Sequence, residues 1–93
     1  MTVELIPKCD HAFFMGVANT VFFDMVNSTA MVDVIGVQNT NDPIDVSNED
    51  AIKCKKILSE WTPPEKWGAG FRPGVMKSHF MEFFGRCDGF TTR

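Results

Sequence analysis

The spacing of apolar positions changes along this chain, and each change marks an element. The clearest period lies in VSNEDAIKCKKILSEW, residues 46–61, where Ala51, Cys54, Ile57, Leu58 and Trp61 recur three or four apart, the signature of one helical face. Ser47 is placed to cap this helix, with Asp50 three residues on as in a capping box, and Pro63 and Pro64 stop it. In RPGVMKSHFMEFFGRC, residues 72–87, Met76, Phe80, Phe83 and Phe84 form a second helical face. Pro73 suits its first turn, where a missing N–H loses nothing, and Gly85 suits its end.

The first half of the chain has other periods. TVELIP, residues 2–7, alternates weakly and ends in Pro7, which predicts a short strand at a sheet edge. AMVDVIGV, residues 30–37, is β-branched and apolar apart from Asp33, which predicts a strand covered on both faces. QNTNDPID, residues 38–45, predicts an exposed turn. DHAFFMGVANTVFFDMVNS, residues 10–28, fits two patterns. A helix capped by Asp10 aligns Phe13, Val17, Val21 and Met25 in one row and Phe14, Ala18, Phe22 and Val26 in the next. Gly16, Asn19 and Thr20 oppose a helix, and TVFF has strand character, so the alternative is a hairpin turning at ANT. The helix is the expectation.

The resulting order, β-α-β-α-α, is that of a small α+β fold with a short sheet packed by helices. It spans residues 1–93 as a single domain, with 87–93 as a C-terminal tail whose Phe90 folds back on the core. Two strands make a marginal sheet. Either residues 10–28 contain more strand than the helix reading allows, or a homodimer completes the sheet between copies. A hydrophobic fraction of 44% with nine Phe, two Trp and six Met supports a real core in a chain of 93 residues, and Tyr is absent. The start, MTVELIPKCD, lacks a basic segment followed by an apolar run, and the longest apolar stretch is broken by Gly16, Asn19, Thr20 and Asp24. The expectation is a cytoplasmic protein with no membrane segment and with its three cysteines reduced.

Charge is segregated. Residues 1–52 hold one lysine against eight acids, a net −7, and residues 53–93 hold eight bases against four acids, a net +4. The halves attract each other in the folded chain, or the second half presents a basic patch. Lys53, Lys55, Lys56, Lys66 and Arg72, interleaved with aromatic residues, are the candidate set for nucleic acid or another anionic ligand. The acidic whole-chain balance weighs against nucleic acid.

Other chemistry has little support in the sequence. Cys9, His11, His79 and Cys87 are the candidate metal ligands, but the usual paired zinc spacings are missing, so neither metal nor cofactor is expected. Cys54 lies on an apolar stripe, where a thiol is inert, and no catalytic signature surrounds any cysteine. WGAGFRPG, residues 67–74, carries glycines and a base before a helix, but matches neither phosphate-loop pattern. A protein-binding role remains. Trp, Phe and Arg are enriched in interface cores and hot spots, and Trp61, Lys66, Trp67, Phe71 and Arg72 fall within twelve positions. The expected function is therefore a non-enzymatic protein-binding module, an inhibitor, adaptor or regulator of the kind carried by phages and mobile elements. The alternatives are an anion or nucleic-acid binder using the basic half, and a small zinc- or thiol-dependent enzyme.

Overall fold

The computed structural model describes residues 2–10, 12–68 and 72–93. In chain order it contains β1 (Thr2–Pro7), β2 (Met15–Ala18), α1 (Asn19–Asn27), α2 (Val32–Ile35), β3 (Asp45–Val46), α3 (Asn48–Ser59), α4 (Pro73–Arg86) and β4 (Phe90–Thr92). The expected α+β class holds. Taking β1 with β2 and α1 with α2 gives the expected β-α-β-α-α order with a strand added at the end.

The four strands form one antiparallel sheet in the order β2-β1-β4-β3. Burial alternates along each strand, as a sheet with one covered face requires. Val3, Leu5, Met15, Val17, Val46, Phe90 and Thr92 are buried, while Thr2, Gly16, Ala18 and Asp45 face solvent. The covered face meets α4 through Phe83 and Phe84, whose rings each lie 5.6 Å from that of Phe90. Phe22, Met25 and Val26 of α1 and Ala51, Cys54 and Leu58 of α3 join the core, with Met31, Trp67, Phe80 and Cys87.

The two predicted helices are present. Ser47 Oγ accepts the Asp50 N–H at 3.2 Å, so the predicted cap starts α3. Pro73 opens α4 as expected. Gly85 does not end α4, which runs on to Arg86. The reversal falls later, at Asp88 and Gly89, with φ of 56° and 91°.

Three other expectations need correction. β1 is an inner strand, and Pro7 is tolerated because it stands at the strand's end, opposite Phe90. Residues 10–28 are neither one helix nor an ANT hairpin: they contain β2 followed directly by α1, with Ala18 extended at φ −60° and ψ 144° where the strand turns into the helix. The strand at 30–37 is replaced by the single turn α2. Thr29 organises it locally: its hydroxyl donates to the Met25 carbonyl at 2.8 Å and accepts the Met31 N–H at 3.2 Å. Within the exposed connection 38–45, Gln38 is buried, its backbone N–H bonded to Asn27 Oδ1 at 3.0 Å. Residues 90–92, expected in a tail, form the inner strand β4.

Candidate functional site

The connection between α3 and α4 concentrates the aromatic and basic residues singled out in the sequence. It is anchored at its start by Lys77 of α4, whose Nζ donates to the Trp61 carbonyl at 2.7 Å and the Ser59 carbonyl at 3.3 Å. The Ser59 carbonyl is one of those a helix leaves open at its C-terminal end. A turn follows, closed by the Trp67 N–H on the Pro64 carbonyl at 3.1 Å, and Gly68 takes a φ of 92°.

Trp67 ends up inside. Its side chain donates from Nε1 to the Val21 carbonyl of α1 at 2.9 Å, and the residue is 5% exposed. Its ring meets Trp61 edge to face, with centroids 5.0 Å apart at 77°, and lies 6.1 Å from Phe80. The ring of Trp67, expected among the partner-binding residues, is thus almost wholly enclosed by the fold while still lining the cleft described next. A large apolar ring with one N–H is most stable buried against an acceptor, and α1 supplies that acceptor.

Beside this ring is a cleft of about 270 Å³ lined by Asp24, Ser28, Trp61, Pro64, Lys66 and Trp67. Trp61 is half-buried, while Asp24, Ser28, Pro64 and Lys66 are exposed. Three of the five candidate partner-binding residues, Trp61, Lys66 and Trp67, therefore converge on one surface. Arg72 is exposed at the N-cap of α4 and does not line the cleft, and Phe71 lies outside the described residues. Sequence reasoning missed Asp24 and Ser28, which α1 brings in. Asp24 is the only charged residue between Asp10 and Asp33, and a lone carboxylate in an apolar stretch was the signal to follow.

The other candidate sets are dispersed. Among the anion-binding candidates only Lys66 lines the cleft. Lys53 pairs along α3 with Glu49 and Asp50, at 3.8 and 3.7 Å, Lys55 reaches across Gly85 of α4, and Lys56 is exposed. The metal candidates fare no better. Cys9 Sγ donates to the Arg86 carbonyl at 2.8 Å, Cys87 is buried, His79 is exposed on α4, and His11 lies outside the described residues. Among the described residues no three His, Cys, Asp or Glu side chains are grouped to hold a metal ion. Burial pushes the Cys54 thiol up from 9.0 to about 12, helped by the nearby Asp50 and Cys87, and burial also raises Cys87. A thiol so protonated is a poor nucleophile and a poor metal ligand.

Comparisons with protein-family models, with curated proteins and with solved structures find no match to this chain. No helix among the described residues is long and apolar enough to cross a membrane. The cleft combines aromatic walls, a carboxylate and an ammonium, a set suited to holding a side chain or a small ligand.

Proposed function

We propose that this chain is a non-enzymatic protein-binding module, an inhibitor, adaptor or regulator, that receives a partner's side chain in the cleft between α1 and the α3–α4 connection. The observation that carries this reading is the convergence of Trp61, Lys66 and Trp67 on one cleft with Asp24, Ser28 and Pro64. Half-buried Trp61 is the anchor residue, of a type that dominates interface hot spots. Trp67, held by its hydrogen bond to Val21, makes the wall rigid before the partner arrives, which lowers the ordering cost of binding. The test is affinity capture with the wild-type chain and with Trp61→Ala/Lys66→Glu, two positions outside the fully buried core. A partner retained by the wild type and lost by a still-folded double variant supports the reading. Equal retention by both overturns it.

A homodimer is the second reading, favoured by the free edge of β2. Glu4 exchanges both of its backbone hydrogen bonds with Arg93, at 2.9 and 3.0 Å, so Gly16, opposite Glu4 on β2, points its N–H and C=O away from the sheet. Phe13 and Phe14, 39% and 52% exposed, precede this edge, and residues 12–18 carry no charge to block pairing. The opposite edge, β3, is two residues long and carries the Lys8–Asp45 ion pair. A second copy pairing β2 with β2 would close with two-fold symmetry. Sedimentation equilibrium decides: a dimer that Phe14→Lys dissociates supports it, and a wild-type monomer at high protein concentration overturns it.

A further inference from the structure

We infer that the Trp61–Trp67 cleft selects an organic cation carried beside an anion: the guanidinium or methylated ammonium of a partner's basic side chain, next to an acidic residue. This inference rests on the cleft being a partner site and names what enters it.

The aromatic walls come first. The two indoles stand at 77° with centroids 5.0 Å apart, so they form a corner rather than a stack. Indole faces carry negative potential, and corners of this kind hold guanidinium and alkylated ammonium groups by cation–π attraction. The corner is rigid because Trp67 is tied to the Val21 carbonyl, and the half-buried Trp61 leaves part of its ring open to an occupant.

The charges come second. Asp24 stands three residues beyond Val21 on α1, one helical turn along the surface to which the indole is tied. A carboxylate beside an aromatic corner adds a direct partner for a cation. Lys66 lines the same cleft with the opposite sign. Asp24 and Lys66 form no ion pair with each other, and neither pairs elsewhere among the described residues. A bare cation would satisfy Asp24 and be repelled by Lys66. A bare anion would satisfy Lys66 and gain nothing from the indole faces. An occupant with both signs pairs with both charged groups of the lining.

The protein carries its own reporter. Its sequence holds two tryptophans and no tyrosine, and both tryptophans line the cleft, so tryptophan emission reads occupancy of this site. The experiment titrates the full chain with N-acetyl-arginyl-aspartyl amide and with N-acetyl-norleucyl-aspartyl amide, in which an apolar side chain replaces the cation. The expected result is a saturable emission change with the arginine peptide at about fivefold or greater preference over norleucine. Asp24→Asn, an exposed position checked for folding by circular dichroism, should abolish that preference, and Lys66→Gln should weaken both peptides alike. Equal affinities, or no emission change with either peptide, would overturn the inference. The two readings fail separately. If partner capture needs Trp61 while norleucine competes as well as arginine, the docking cleft stands and its cation chemistry falls. If arginine binds as expected but capture survives Trp61→Ala/Lys66→Glu, the cation site stands and the docking reading falls.

Discussion

Trp67 shows how far a residue's role depends on one acceptor. Its indole N–H bonds the Val21 carbonyl, and its ring fills space between α1, Trp61 and Phe80. Trp67→Ala removes a large buried ring, and the expected loss is about 3–5 kcal/mol. In a domain of this size, thermal denaturation should show a fall of well over ~10 °C. Trp61→Ala, at a half-buried position, should lose no more than about half as much. A Trp67→Ala chain that melts like the wild type would place the ring outside the core. Cys54 carries a pH dependence. Its thiol is held near 12 in the fold, against 9.0 without it, chiefly by burial. Its contribution is fully present below pH 9.0 and is lost as pH rises toward about 12, because the unfolded chain then releases a proton that the folded chain retains. Denaturant titrations across this range should show stability falling with pH, and falling less in Cys54→Ala. Equal slopes would refute the assignment.

At the scale of elements, what was legible in the sequence followed from local rules. The Ser47 cap, the 51–54–58 stripe and Pro73 act within one or two turns, and α3 and α4 formed where these signals lay. Strands need partners that a local pattern does not supply. Val32, Val34 and Ile35 have strong β character, but they pair with no strand, and the Thr29 hydroxyl supports a helical turn instead. The cleft was half legible for the same reason: Trp61, Lys66 and Trp67 are close in sequence, whereas Asp24 and Ser28 arrive with α1 through tertiary packing. Gly85 has the local signature of a helix stop, but among the described glycines Gly89 is the most tightly constrained by backbone. Its φ is 91°, and a Cβ there would stand 2.7 Å from the Val46 carbonyl oxygen and 3.0 Å from the Asn48 nitrogen, both backbone atoms. Gly89→Ala is therefore expected to cost about 2 kcal/mol or more. Gly16→Ala, with nothing within 4 Å of the added carbon and an ordinary strand conformation, is the control. Similar denaturation midpoints for the two variants would show that the chain reversal before β4 is not constrained.

At the scale of the whole molecule, the first and last strands pair at the centre of the sheet. β4 lies between β1 and β3, so the strand formed by the last residues joins the first strand to the third. Phe90 is fully buried against Phe83 and Phe84, and Thr92 binds Ile44 twice, at 3.1 Å through its N–H and 3.1 Å through its hydroxyl. Arg93 exchanges backbone hydrogen bonds with Glu4 and adds an ion pair at 2.6 Å, the one pair that links the acidic half to the basic half over a long separation among the described residues. These parts differ in weight. Exposed ion pairs contribute about 0–1 kcal/mol, so Arg93→Ala should be nearly neutral. Ending the chain at Gly89 removes Phe90 and both ladders of β4, detaches β3, and leaves β1 and β2 as an isolated hairpin, which is marginal in water. The truncated chain is expected to lose its cooperative melt and the dispersion of its amide NMR spectrum, while Arg93→Ala retains both. A folded truncation product would mean that the helices and the β1–β2 hairpin hold a core without β4. The buried Phe90 ring argues against that, because its removal opens a cavity against two α4 phenylalanines at the centre of the sheet.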